Sequence, residues 1–113
     1  MQRLKFQYIR SEPYRRFVAS HACFGCGLEG WSQAAPPNQA KYGKGKGIKA
    51  SDEFCFPLCG SHHGLIGCHA QNDLLLDTDR ETRNEQEDRY VEKMMRIAAL
   101  DGWHKGKRLK AAA

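Results

Sequence analysis

The 113 residues contain no apolar run near the roughly 20 positions needed to span a bilayer. The opening MQRLKFQYIR also lacks the apolar block of a secretory leader, so a cytoplasmic location is the expectation. Internal repeats are missing, as is any sign of a second domain. The chain is therefore read as one domain over 1–113, ordered from about 11 to 100, with a basic, disordered tail over 101–113. An even set of cysteines is lacking too: there are five, two of them in Cys23-Phe24-Gly25-Cys26. In a reducing compartment that pattern favours metal ligation over a disulfide framework. A chain this short has only a modest core, and a bound metal would help to hold it.

Acidic residues are outnumbered, 13 against 18 Lys and Arg, for a formal net charge of +5. The excess points to a polyanionic partner, because each neutralised phosphate releases counterions. The cations fall in three groups: Arg3, Lys5, Arg10, Arg15 and Arg16, then Lys41, Lys44, Lys46 and Lys49, then Lys105, Lys107, Arg108 and Lys110. Any one group alone reads equally well as a solvated face or tail. A hydrophobic content of 41% suits a folded protein.

Ser11-Glu12-Pro13 has the form of a helix start, and Tyr14, Phe17 and Val18 continue at helical spacing, which predicts about two turns ending near Ser20. Residues 31–50 are rich in Gly, Pro, Asn and Lys and read as a long functional loop crossed by short strands. Phe54 to Leu58 is strand-like and delivers Cys59 at its end. A short helix or turn is expected from Cys68 to Asp73, and a long helix from about Arg80 to Leu100, stopped by Asp101-Gly102. In the long helix Tyr90, Met94 and Ile97 with Val91, Met95 and Ala98 form a packing face, and Glu85–Arg89 and Glu92–Arg96 are candidate i,i+4 pairs.

Two groups of metal ligands emerge, Cys23 with Cys26 and a second between Cys59 and His69. Tetrahedral zinc takes four soft or borderline ligands, and the three thiolates of Cys23, Cys26 and Cys59 are natural choices. The fourth is His62 if the second knuckle is tight, or Cys68 if GSHHGLIG bulges out as a loop. Gly64 and Gly67 favour the loop and Cys68. His69 and Asp73, spaced i,i+4 at a helix start, then share a face beside the zinc ligands and fit a second, divalent ion. Cys55 reads as a small buried hydrophobe, and His62 and His63 otherwise as exposed loop residues.

Together, Cys-x-x-Cys-Gly at 23–27, SQAA at 32–35, GKGKGIKASD at 43–52, FPLC at 56–59 and GCH at 67–69 with an acid four residues on resemble the phage HNH endonucleases. The likeness is to the branch of recombination-enhancement, RecA-dependent nucleases, and it runs from about Phe17 to Asp73. It implies an α+β fold: a small zinc-stapled ββα-metal module flanked by a short N-terminal and a long C-terminal helix. Cys23, Cys26, Cys59 and Cys68 match the zinc ligands, His69 the helix histidine that binds Mg²⁺ or another divalent ion, and Asp73 the last member of the site. The resemblance also implies DNA as substrate, met by Lys41, Lys44, Lys46 and Lys49, a RecA-type recombinase filament as partner, and a bacterial host cytoplasm.

The chain departs from that pattern at one place. Similar sequences have a histidine, the expected general base, after SQAA, and here the chain reads Pro36-Pro37-Asn38. Proline cannot take a proton, although Asn38 can orient a phosphate or a water, and His21, His62 or His63 are candidates to enter from elsewhere. The expectations are thus a metal-dependent DNA endonuclease, or a catalytically impaired zinc-stapled DNA-binding protein. A protein-docking zinc module is the third, and it leaves the lysines unexplained.

Overall fold

The computed structural model describes residues 6–76 and 78–109. It is a small α+β protein in the element order α1 (Glu12–Ala19), β1 (Ser32–Ala35), β2 (Phe56–Cys59), α2 (Cys68–Leu74), α3 (Arg80–Leu100), β3 (Trp103–His104) and β4 (Lys107–Arg108). Single turns of 3-10 helix at Ala40–Tyr42 and Asp52–Phe54 shape the long connection between β1 and β2. None of the helices described is long and apolar enough to cross a membrane.

Ser11 caps α1 by accepting the Tyr14 N–H at 3.2 Å, and Pro13 sits in the first turn, where its missing donor costs nothing. Eight residues are too few to stay helical alone, so α1 depends on burying Tyr14 and Val18 against the sheet. β1 and β2 pair antiparallel, with Ser32 opposite Cys59 and Ala35 opposite Phe56. All four residues of β2 are buried, and Phe56 and Leu58 join Val18 and Met94 among the largest fully enclosed side chains. Pro57 is tolerated because a two-stranded sheet has only edge strands. Its carbonyl accepts the Phe24 N–H at 2.9 Å, which ties the Cys23–Cys26 turn to β2.

Asp79 caps α3 through the Thr82 N–H at 2.7 Å. The helix turns a stripe of Arg83, Glu87, Val91, Met94 and Ala98 inward. Of the two expected i,i+4 pairs, Glu92–Arg96 closes at 2.9 Å, whereas Glu85–Arg89 is not formed among the described residues. Met95, expected on the packing face, is 42% exposed.

The expectation of a disordered tail from 101 onward needs correction. Residues 103–108 form an antiparallel hairpin, β3 with β4, turned by Lys105 (φ 46°) and Gly106 (φ 79°). Two successive positive φ values match the tight turn whose twist suits paired strands. Trp103 anchors the hairpin on α1, stacked on Phe17 with ring centroids 5.2 Å apart and edge-on to Tyr14 at 5.3 Å. Ser11 Oγ donates to the Gly106 carbonyl at 2.6 Å. Residues 110–113 of that tail lie outside the described residues.

Candidate metal centre and the adjoining histidine–carboxylate cluster

The turn after α1 carries Cys23 and Cys26, the end of β2 carries Cys59, and the first residue of α2 is Cys68. Their four Sγ atoms lie within 4.8 Å of one another, and all are free thiols. His62, the alternative fourth ligand, is not part of this group. Its ring stacks on Trp31 instead, at 4.6 Å between centroids.

Glycines make the convergence possible. A Cβ on Gly25 would stand 2.9 Å from Cys68 Sγ, and one on Gly67 would overlap the backbone of Cys59 and Gly60, where β2 crosses the start of α2.

The donor set fits a metal ion such as zinc. With Zn–S bonds of about 2.3 Å, a tetrahedron of sulfurs has edges of about 3.8 Å. The Cys26–Cys59 sulfur separation is 3.8 Å. Backbone N–H groups of Gly25 and Cys68 point at Cys23 Sγ and Cys59 Sγ, each at 3.3 Å, as they do where a thiolate is to be stabilised. Burial opposes ionisation of Cys23, yet the backbone donors around its sulfur and the Cys68 thiol outweigh it and bring its pKa to about 7. Burial and the Cys23 charge push Cys68 up, and burial with the neighbouring thiols raises Cys59. One ionised sulfur thus resists ionisation of the others, a conflict that a bound cation removes. Cys55 stands apart, buried beside Asp52, and burial followed by that charge lifts its thiol to about 12, as befits an inert core side chain.

Beside the sulfurs, α2 presents His69 and Asp73 on one face. His69 Nδ1 lies 2.8 Å from Gln33 Oε1 on β1, and its Nε2 lies 3.3 Å from Asp73 Oδ2. An amide oxygen accepts only, so Nδ1 carries the proton toward Gln33. Nε2 then faces the Asp73 carboxylate. Asp73 Oδ1 accepts from Asn38 Nδ2 at 3.0 Å. Burial works against the Asp73 charge, but hydrogen bonds from His69 and Asn38 and the fields of His69 and Arg83 hold its carboxyl below the usual range.

Behind Asn38 lies a fully buried carboxylate, Glu87 of α3. It accepts from the Asn38 backbone N–H (2.9 Å), Asn38 Nδ2 (2.9 Å), Gln39 Nε2 (3.3 Å) and Asn72 Nδ2 (2.8 Å). Arg83 supplies the countercharge at 3.9 Å. Sequence reasoning missed Gln33, Asn72, Arg83 and Glu87. One signal was available: the apolar stripe of α3 continues toward its N-terminus at helical spacing through two charged residues, Glu87 and Arg83.

Of the four loop lysines, the structure brings only Lys41 toward this cluster, where it pairs with Asp88 at 2.9 Å. Lys44 Nζ is 3.3 Å from the Gly45 carbonyl, and Lys46 and Lys49 are exposed around a tight turn closed by Gly45 and Ile48. The histidines considered as replacement bases are held elsewhere. His21 Nδ1 is 2.8 Å from the Phe17 carbonyl, and His62 and His63 pack on Trp31. After β1, Pro36 is half-buried and Pro37 enclosed.

Comparison with curated proteins and with solved structures returns no match. Residues 1–73 of the 113 match a family described as Protein of unknown function (DUF968), a span that includes the sulfur quartet, Asn38, His69 and Asp73. The chain belongs to the DUF968 family.

Proposed function

We propose that the chain is an HNH-like, metal-dependent endonuclease that hydrolyses DNA phosphodiester bonds, with a zinc ion on Cys23, Cys26, Cys59 and Cys68 as its structural staple. The observation that carries this reading is the chain of contacts from Gln33 through His69 and Asp73 to Asn38, set on a two-stranded hairpin and the helix that follows it. That order of elements, with a histidine at the helix start, is what the resemblance to phage HNH nucleases implies. His69 and Asp73 would hold Mg²⁺ or a similar ion, which supplies charge stabilisation at the phosphate and the leaving oxygen. Gln33 orients the His69 ring, and Asn38, fixed from behind by Glu87, orients Asp73. In the reaction a water oxygen bonds to phosphorus, the bond from phosphorus to the leaving oxygen breaks, and the water proton passes to solvent or the leaving group.

A second reading has its own observation. The end of β1 and the residues after it, Ala35-Pro36-Pro37, offer no proton acceptor where the resemblance calls for one. A protein with that defect would bind DNA and cut it poorly, since a positioned base contributes about 10²- to 10⁴-fold.

Supercoiled-plasmid nicking by zinc-loaded protein, with and without Mg²⁺ or Mn²⁺, separates the two readings. Ion-dependent nicking that His69→Ala abolishes with its fold retained is the expected result. Nicking no greater than that of His69→Ala, from folded protein that binds the plasmid, favours the impaired reading, and Pro36→His should then raise cleavage by 10²-fold or about that. Adding a RecA-type filament tests the recombinase partner that the resemblance implies.

A further inference from the structure

A second site lies next to Asn38, between residues 38–41 and the first turns of α3. It is a cleft of about 510 Å³ lined by Asn38, Gln39, Lys41, Arg80, Arg83 and Asn84, together with Ala40. Three cations and three amides leave nothing to attract an apolar ligand, and the volume is in the range of small-molecule sites.

The carboxylates nearby accept mainly from neutral donors, so their pairs with Lys41 (Asp88, 2.9 Å) and Arg83 (Glu87, 3.9 Å) are not what satisfies them. Asp88 accepts from Tyr42 Oη at 2.7 Å and Gln39 Nε2 at 3.1 Å, and Glu87 from the Asn38, Gln39 and Asn72 groups described above. Arg80 is exposed and makes no ion pair among the described residues. Arg83 is only 7% exposed, and its Nε and Nη1 reach Asn84 Oδ1 (3.2 Å) and the Asn72 carbonyl (3.4 Å). Its Nη2 has no hydrogen-bond partner among the described residues. A guanidinium carries five N–H donors in a planar fork that matches phosphate oxygens. A nearly buried fork with free donors, beside an arginine without an ion pair among the described residues and a lysine held only by an exposed pair, has the chemistry to take an anion.

We infer that this cleft seats an internucleotide phosphate of a DNA strand, one that flanks the phosphate acted on at His69 and Asp73. This rests on the reading of the protein as a DNA-acting one. Asn38 belongs to both places: it lines the cleft and donates to Asp73. A strand entering the cleft is thereby placed in register with the histidine–carboxylate pair. Electrostatic capture is then due to α3 and the 38–41 turn rather than to the glycine–lysine loop.

The test is anisotropy of labelled single-stranded and duplex DNA of one sequence with the full, zinc-loaded chain, across a range of salt and without added divalent ion. Arg80→Gln and Lys41→Gln are compared with Lys46→Gln. A shallower salt dependence is expected for each cleft variant, by about 0.9 in the log–log slope for duplex or about 0.7 for single strand, with several-fold weaker binding at low salt. Lys46→Gln should change both less. Unchanged binding by the cleft variants, or an equal loss in Lys46→Gln, overturns the seat even if the protein nicks DNA. Cleft variants that weaken binding while the wild type fails to nick leave the seat standing and remove the nuclease reading. Absence of wild-type DNA binding at low salt removes both.

Discussion

Glu87 is the residue on which the candidate site depends without touching a substrate. A buried charge is tolerated only when paired and hydrogen-bonded, and this one has four donors and an arginine. Glu87→Ala would leave those donors unsatisfied and Arg83 unpaired in the core. The expected loss is about 3–5 kcal/mol in chemical denaturation. Glu87→Gln keeps the shape but turns an amide NH₂ toward groups that donate, so it should lie between the wild type and alanine. A loss within experimental error for Glu87→Ala would show that Asn38 is held by other means. The residue was hard to read from sequence for a physical reason. A glutamate in a charged helical stretch is usually solvated, and only its partners, 15 and 49 positions away, reveal that it is buried.

Among the elements, those with local causes were legible and those with distant causes were not. α1 follows from a cap and a short apolar stripe, and α3 runs between a capping Asp79 and Asp101-Gly102. The hairpin at 103–108 was missed because its turn is Lys105-Gly106, not the usual Asn-Gly or Asp-Gly, and because its stability comes from Trp103 meeting an α1 more than 80 positions earlier. The 3-10 turn at Ala40–Tyr42 is likewise pinned at long range, by Lys41 and Tyr42 on Asp88. Burial opposes ionisation of Asp88, but hydrogen bonds from Tyr42, Lys41 and Gln39 and the Lys41 charge together outweigh it and hold its carboxyl below the ordinary range. A depressed folded-state pKa stabilises the fold above the unfolded value, near 3.9, and that contribution fades as pH falls through the lower folded value. The melting temperature of the wild type should therefore exceed that of Asp88→Asn at pH 6 to 7, and the gap should close below about pH 4. A gap independent of pH would mean that the lost packing of the side chain, not its charge, matters.

For the whole molecule, the sulfur quartet joins what the small core cannot hold firmly alone. It connects the turn after α1, the end of β2 and the start of α2, three short segments that otherwise meet through a few backbone bonds and core contacts. Four sulfurs drawn from two pairs at least 33 residues apart were legible because their chemistry demands convergence, whereas the Asn38–Glu87 network behind them has no such compositional mark. Structural zinc contributes an apparent binding free energy of about 10 kcal/mol or more, comparable with the entire stability of a small domain. Native mass spectrometry should find one zinc per chain, retained in His62→Ala and lost in Cys68→Ser. Chelation at neutral pH should unfold the chain cooperatively, with loss of near-UV dichroism as the packing of Phe17, Phe24, Tyr90 and Trp103 dissolves. Because the ligands must be thiolates, acid should release the metal and unfold the chain at a higher pH than carboxylate titration alone would require. A chain that stays folded after quantitative zinc removal would move the stapling role to the buried polar network around Glu87, and His62→Ala losing zinc would reassign the fourth ligand.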